Sequence, residues 1–230
     1  MKRPVLVSGV LLIALLGVAG GYLAGDRLEP GQPVATGSAA PLGESTPGQP
    51  LPRKTPVPSD LEPLLVGDLD FRTQTFTVHE DYSVRLSIRV PDEWQKSVNK
   101  KAPGEVKFLD SLRERGVRVE SGFKVELTTA QQRENLIRQL ESSIPYEDYF
   151  KILDQSDAEI TGSDGQSRMT STLIYTYIPN ETTRYVMVRW VATGGDNLAN
   201  VEMSITGLPQ DAKALNYIAD QAAKSVTPED

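Results

Sequence analysis

The N-terminal 25 residues constrain this chain more than any other part of it. After the basic start Met1-Lys2-Arg3, residues 4–25 contain no charged side chain, and Asp26-Arg27 ends the run. About 20 apolar residues are needed for a helix to cross the hydrocarbon of a bilayer. We therefore interpret residues 1–25 as a single transmembrane anchor. Because Lys2 and Arg3 favour the cytoplasmic side, the rest of the chain is expected outside the cytoplasm.

A cleaved signal peptide is the alternative interpretation of the same segment. Its apolar core would be residues 5–19, and small residues suitable for cleavage lie near Ala19 and Gly21. Cleavage would give a secreted protein, whereas retention gives a single-pass protein of the cell membrane. Both place the remainder of the chain outside the cytoplasm, and the length of the run favours the anchor.

Residues 26–63 have the composition of a disordered linker. Nine of the 16 prolines lie between Pro30 and Pro63, with Ser, Thr, Gly and Gln between them. Such a segment buries too little apolar surface to fold, and proline biases it towards extended polyproline II. We expect a spacer between the membrane and a folded domain at residues 64–230, with its core at about 75–228.

Composition excludes several classes of chemistry. The chain has no cysteine, so disulfides, thiolate catalysis and the lipid attachment of lipoproteins are excluded, and His79 is its one histidine. No glycine-rich phosphate loop and no nucleophile motif occurs. The net charge of −7 argues against nucleic acid as a partner. We expect no enzyme, no cofactor and no metal site.

The pattern of apolar and polar residues over 64–230 predicts an α+β domain. Apolar and polar residues alternate over 82–90, which predicts a half-buried strand, and residues 75–79 predict its hairpin partner. Short extended pieces follow at 106–109 and over 117–127. Helical spacing predicts helices over 131–140 and 146–153. An antiparallel meander and a C-terminal helix beginning at Pro209 complete the pattern, so helices should pack on a mostly antiparallel sheet.

Several short motifs carry a resemblance to a known family. They are Val90-Pro91-Asp92-Glu93-Trp94, the extended piece from Gly122 to Leu127, the Tyr-rich short helix predicted over 146–153, Tyr175-Thr176-Tyr177 and the C-terminal helix closing at Ser225-Val226-Thr227-Pro228. Over roughly Thr75 to Pro228 the chain resembles the PsbP-like, or LpqN-like, α/β/α-sandwich superfamily of actinobacterial exported type. The resemblance implies a small binding or scaffold domain without catalytic activity, and it supplies no catalytic residue.

Two groups of residues are candidates for binding. The first is a basic segment with an adjacent aromatic residue, formed by Trp94, Lys96, Lys100 and Lys101, which could contact anionic lipid or wall polymer. The second is Tyr146 and Tyr149, which with Tyr175 or Trp190 could line a cleft. Buried core positions are the alternative for the aromatic residues, and a solvated loop is the alternative for the lysines.

Three functions are open to such a chain. The favoured one is a membrane-tethered interaction or scaffold module that contacts an envelope protein or wall polymer. The second is an exported binder of a small molecule, lipid or wall polymer. The third is a carboxylate-dependent hydrolase, which would need acidic residues converging in a pocket.

Anchoring and cleavage predict different masses for the protein recovered from membranes. We expect the intact chain of 25.2 kDa, because residues 4–25 are long enough to remain as a transmembrane helix. Mass spectrometry of the protein from a producing cell measures this. A mature chain beginning just after Ala19 or Gly21 would contradict the anchor.

Overall fold

A computed structural model describes residues 52–229. The predicted anchor, and the predicted linker up to residue 51, lie outside the described residues. The chain divides into two units, Met1–Pro52 and Arg53–Asp230, and the helices and strands of the described residues belong to the second. No helix between residues 52 and 229 is long and apolar enough to cross a membrane.

Residues 52–229 form two helices and ten strands. The helices are α1, Thr129–Ser143, and α2, Ala212–Ser225. In chain order the strands are β1 Phe71–His79, β2 Ser83–Pro91, β3 Gln95–Val98, β4 Glu105–Leu109, β5 Gly116–Ser121, β6 Lys151–Thr161, β7 Ser167–Tyr177, β8 Arg184–Val191, β9 Val201–Gly207 and β10 Thr227–Glu229. Short 3₁₀ turns lie at Val66–Asp68, Tyr146–Asp148 and Pro209–Asp211.

The strands form two antiparallel sheets. The small sheet has the order β1-β2-β10, and the large one has the order β3-β4-β5-β9-β8-β7-β6. Strands β6, β7, β8 and β9 are consecutive neighbours, as expected for a meander whose turns are short. The large sheet therefore ends in β3 on one side and β6 on the other.

The two helices lie on opposite faces of the large sheet. Thr129 at the start of α1 accepts a hydrogen bond from Ser171 on β7, whereas Asp220 of α2 is paired with Arg189 on β8. Arg189 stands opposite Thr172, the neighbour of Ser171, and successive side chains of a strand point to opposite faces. The α2 face also carries the small sheet, whose strand β2 packs against α2.

The main hydrophobic core fills the space between the two sheets and α2. Phe76, Leu86 and Ile88 contribute from the small sheet, Met203 and Ile205 from the large one. Leu215, Ile218, Ala219 and Ala222 complete it from the apolar face of α2. The α+β prediction is confirmed by this arrangement.

Two local predictions are wrong. The helix predicted over 146–153 is a single 3₁₀ turn that ends at Tyr149, whose backbone is left-handed (φ 52°, ψ 51°), and the following residues begin β6. The extended piece over 123–127 is not a strand. Gly122 has φ 81°, and its close approach to the Tyr82 carbonyl leaves no room for a Cβ, so the chain turns away after β5.

Residues 53–64, which we call the strap, lie against the domain. The sequence predicted a disordered linker up to residue 63, and in the structure three backbone N–H groups of the strap donate to acceptors on the domain. Lys54 N–H donates to the Glu147 carbonyl, and Val57 N–H donates to the Glu181 carbonyl, both at 2.8 Å. At the C-terminal end, Leu64 N–H donates to Asp211 at 2.8 Å.

The C-terminal end of the strap is held by a buried ion pair. Asp211 is fully buried and accepts two hydrogen bonds from the Arg115 guanidinium, at 2.7 and 3.0 Å. Arg115 also donates to the carbonyl of Glu62 at 2.5 Å. The carboxylate further accepts the N–H of Leu208 at 3.2 Å, so it fixes the chain just before α2. One ion pair thus joins the start of β5, the start of α2 and the strap.

The substitution Asp211→Asn is expected to lower the free energy of unfolding by about 3–5 kcal/mol, because it removes the buried carboxylate that accepts two hydrogen bonds from Arg115 and leaves that guanidinium only the longer carboxylate contact, with Asp110 at 3.7 Å. The matched control is Asp220→Asn, which breaks the ion pair of a half-exposed aspartate with Arg189. That change should cost at most about 1 kcal/mol. Urea unfolding of both variants measures the difference, and equal losses would contradict the assigned role of Asp211.

Candidate functional site

The basic segment predicted as a binding patch is divided between core and surface. Trp94 is buried in the main core with 4% of its surface exposed, so its ring is not available to an external ligand. Lys96 lies on the edge strand β3, with its ammonium 5.9 Å from the centre of the Phe76 ring. Lys100 and Lys101 are exposed in the turn that follows β3. The three lysines are therefore exposed, whereas the tryptophan predicted beside them is not.

Tyr146 and Tyr149 lie on the surface, in the turn between α1 and β6. Both side chains are nearly half exposed, at 49% and 44%. The other two residues named for the cleft are buried. Trp190 is buried on the face of the large sheet that carries α1. Tyr175 is buried too, and its ring packs against those of Phe150 and Tyr177.

The strap supplies a cation to the two exposed tyrosines. The guanidinium carbon of Arg53 lies 4.6 Å from the centre of the Tyr146 ring and 4.7 Å from that of Tyr149. Both distances are within the range in which a cation is attracted to the face of an aromatic ring. This contact was not predicted from the sequence, because Arg53 stands in the segment whose composition is that of a linker.

Lys54, the next residue, is bound by oxygen atoms on the domain. Its ammonium donates to the Asp148 carboxylate at 2.5 Å and to the carbonyls of Ile178 and Pro179 at 3.2 and 2.8 Å. An ammonium group has three donors, and these three acceptors use all of them. We call the turn 145–149 with the carbonyls of Ile178 and Pro179 the turn site.

A second group of polar residues lies on the α1 face of the large sheet. The strand register aligns Glu105 with Glu120 and Glu120 with Glu202, which places three glutamates in a row across β4, β5 and β9. Like charges directly opposite each other destabilise a sheet. Arg118 offsets this repulsion, because its guanidinium donates to Glu105 at 3.2 Å and to Glu120 and Glu202 at 2.5 Å. We call these four residues the glutamate row.

The oxygens of the innermost glutamate are both occupied. Glu202 accepts from Arg118 with one oxygen and from the indole N–H of Trp190 with the other, at 2.9 Å. Lys107 lies 3.2 Å from Glu105 at the far end of the row. Burial raises the pKa of Glu202 to about 7, which outweighs the opposing effect of Arg118. The carboxylates that converge here are thus held by the protein itself.

The sequence held part of the signal for the glutamate row. In β5, Val117 and Val119 alternate with Arg118 and Glu120, which marks one polar face. The partners come from strands about 15 residues before and 80 residues after it, and only the register brings them opposite each other.

A small groove lies under the strap. It has a volume of about 180 Å³ and is bounded by strap residues 56–59, Thr182, Thr183 and residues 208–210. Small-molecule sites are usually about 300–1,000 Å³. Among the described residues, no cluster of three or more His, Asp or Glu side chains is placed to hold a metal ion.

Comparison with solved structures gives a likeness of fold. The described fold is similar to the crystal structure of LpqN from Mycobacterium tuberculosis, a protein involved in cell envelope biogenesis. The identity is 18% and the TM-score 0.44, over 72% of this chain and 95% of that one. The sequence motifs predicted a resemblance to LpqN-like proteins, and LpqN is the structure to which the described fold is similar.

Neither sequence comparison gives a relative. No protein-family model matches the chain. No curated protein matches it either.

The raised pKa of Glu202 predicts a pH dependence of stability. Between about pH 4.5 and 7 the folded state keeps this carboxyl protonated while the unfolded state has released the proton. The folded state then binds more protons, so its stability falls as pH rises through this window.

Replacing Glu202 by Gln removes this titration. The stability of the wild type relative to Glu202→Gln should fall by about 3 kcal/mol between pH 4.5 and pH 7.5. Urea unfolding of both proteins across this range measures it. Parallel pH profiles for the two proteins would show that Glu202 titrates normally.

Proposed function

We propose that the domain is a non-catalytic interaction module of the cell envelope, held outside the cytoplasm by the N-terminal segment. The feature that carries the proposal is strand β6, at one edge of the large sheet. It is 11 residues long, and nine of them are exposed. The backbone N–H and C=O groups on the outer side of an edge strand are a template for another extended chain.

The charges of β6 indicate the kind of segment that would pair with it. The strand carries Asp154, Asp157 and Glu159 against a single Lys151. An extended partner segment with basic residues would complement it. At its centre Arg133 of α1 donates to the Ser156 carbonyl and to Asp157, at 3.1 and 2.7 Å. This contact covers the middle of the edge and leaves the rest for a partner.

An envelope protein is favoured over a wall polymer, because a strand edge is recognised by another backbone. The alternative of a small-molecule or lipid binder rests on the groove under the strap, whose volume is small for such a ligand. A hydrolase would use the glutamate row. There, both oxygens of Glu202 already accept hydrogen bonds, which supports a structural role for the row.

Because the chain has no cysteine, a photo-crosslinker can be attached at one chosen residue. We place it at Gln155→Cys, on the exposed edge of β6, in the full chain on the membrane of a producing cell. Discrete adducts with an envelope protein are expected at this position, since a strand-adding partner lies within reach of the probe.

Lys213→Cys is the matched control, an exposed position on α2. It should give few adducts. Recovery of the bait alone from both variants would contradict the proposal, as would the same adducts from both. A heterogeneous smear from Gln155→Cys alone would favour wall polymer instead.

A further inference from the structure

The turn site has the properties of a peptide-binding site that the chain fills with its own strap. We propose that it recognises an Arg-Lys pair at the start of an extended, proline-rich segment, and that strap residues 53–58 are its occupant in this chain. The turn site is a second binding surface, and binding there does not require a partner on the β6 edge.

The side chains of the pair are recognised differently. The planar guanidinium of Arg53 lies over two tyrosine rings, a contact that a compact ammonium group makes less well. The Lys54 ammonium is surrounded by one carboxylate and two carbonyl oxygens, which suits a point charge with three donors. The order Arg-Lys is therefore matched to the site, and the reverse order is not.

The backbone of the segment is recognised as well. Lys54 N–H donates to Glu147 and Val57 N–H donates to Glu181, so the main chain is fixed on both sides of Pro56. Proline at 56 and 58 holds the segment near polyproline II before it binds, which lowers the entropy lost on ordering. Aromatic rings beside a proline-rich segment are a recurrent mode of peptide recognition.

The surrounding charges favour a basic ligand. Glu147, Asp148 and Glu181 lie on the turns that contact the segment, and Asp148 has 14% of its side chain exposed where it meets Lys54. The Asp148 carbonyl accepts the N–H of Ile178 at 2.6 Å, which joins the turn to the end of β7. The acceptors for Lys54 are thus held together by the fold before the segment binds.

Limited trypsin digestion of the full chain in detergent tests occupancy by the strap. Arg53 and Lys54 are both trypsin sites, so the swapped variant Arg53→Lys/Lys54→Arg keeps both sites and the same charge. If the site reads the order of the pair, cleavage at 53–54 should be roughly tenfold faster in the swapped variant and in Tyr146→Ala/Tyr149→Ala.

Cleavage at Lys100 and Lys101, exposed in a distant turn, is the internal control and should not change. Tyr82→Ala removes another half-exposed tyrosine and should leave cleavage at 53–54 as in the wild type. Equal cleavage at 53–54 in the wild type and the swapped variant would overturn the specificity for Arg-Lys.

A titration with a synthetic peptide tests recognition in trans. The peptide spans residues 52–59, and it is added to isotope-labelled Arg53→Ala/Lys54→Ala chain, whose own strap lacks both side chains. Amide NMR shifts at Asp148 and Ile178 are expected, with binding at least roughly tenfold weaker to the wild type, whose strap competes at high effective concentration.

A peptide with Ala in place of Arg-Lys is the control and should not bind. Absence of binding to the variant chain, or equal binding to variant and wild type, would overturn the proposal. Neither result bears on the crosslinks from β6, so failure here is distinguishable from failure of the proposed function.

Discussion

The buried ion pair between Asp211 and Arg115 is the contact on which the arrangement of this domain depends. A carboxylate without solvent access is tolerated only when it is paired and fully hydrogen-bonded. Asp211 meets that condition with the Arg115 guanidinium and the N–H groups of Leu64 and Leu208. These donors come from the start of β5, from the strap and from the turn before α2. The three segments must therefore be in place together for the Asp211 carboxylate to have all of these donors.

The strap is held at both ends by different physical interactions. At residues 62–64 it is bound through backbone atoms to a buried charge pair, whereas at residues 53–54 the cations that bind it are an exposed arginine and a partly exposed lysine. Interactions of exposed groups are weaker and more sensitive to salt than those of buried groups. The Arg53 end should open more readily than the Leu64 end. This difference allows a site at one end of the strap to exchange its occupant while the domain remains folded.

Sequence patterns predicted the elements whose signal is local. The alternation over 82–90 marks β2, because it reflects burial of one face, and the C-terminal helix predicted from Pro209 is α2, which begins at Ala212. The helix predicted over 146–153 failed since its apolar residues also suit an exposed turn followed by β6. The contacts of Arg53 and Lys54, and the glutamate row, join residues far apart in sequence. From composition alone, Arg53 and Lys54 look like part of a linker. Without the register of the sheet, the residues of the glutamate row look like unrelated surface charges.

Hydrogen exchange of three strap amides tests whether the strap belongs to the folded domain. Lys54, Val57 and Leu64 each donate to an acceptor on the domain, namely the carbonyls of Glu147 and Glu181 and the carboxylate of Asp211. If the strap is part of the fold, all three should exchange more slowly than unstructured amides, by roughly tenfold or more, with Leu64 the slowest. Exchange of Lys54 and Val57 at the rate of an unstructured chain would contradict this and return residues 53–63 to the linker.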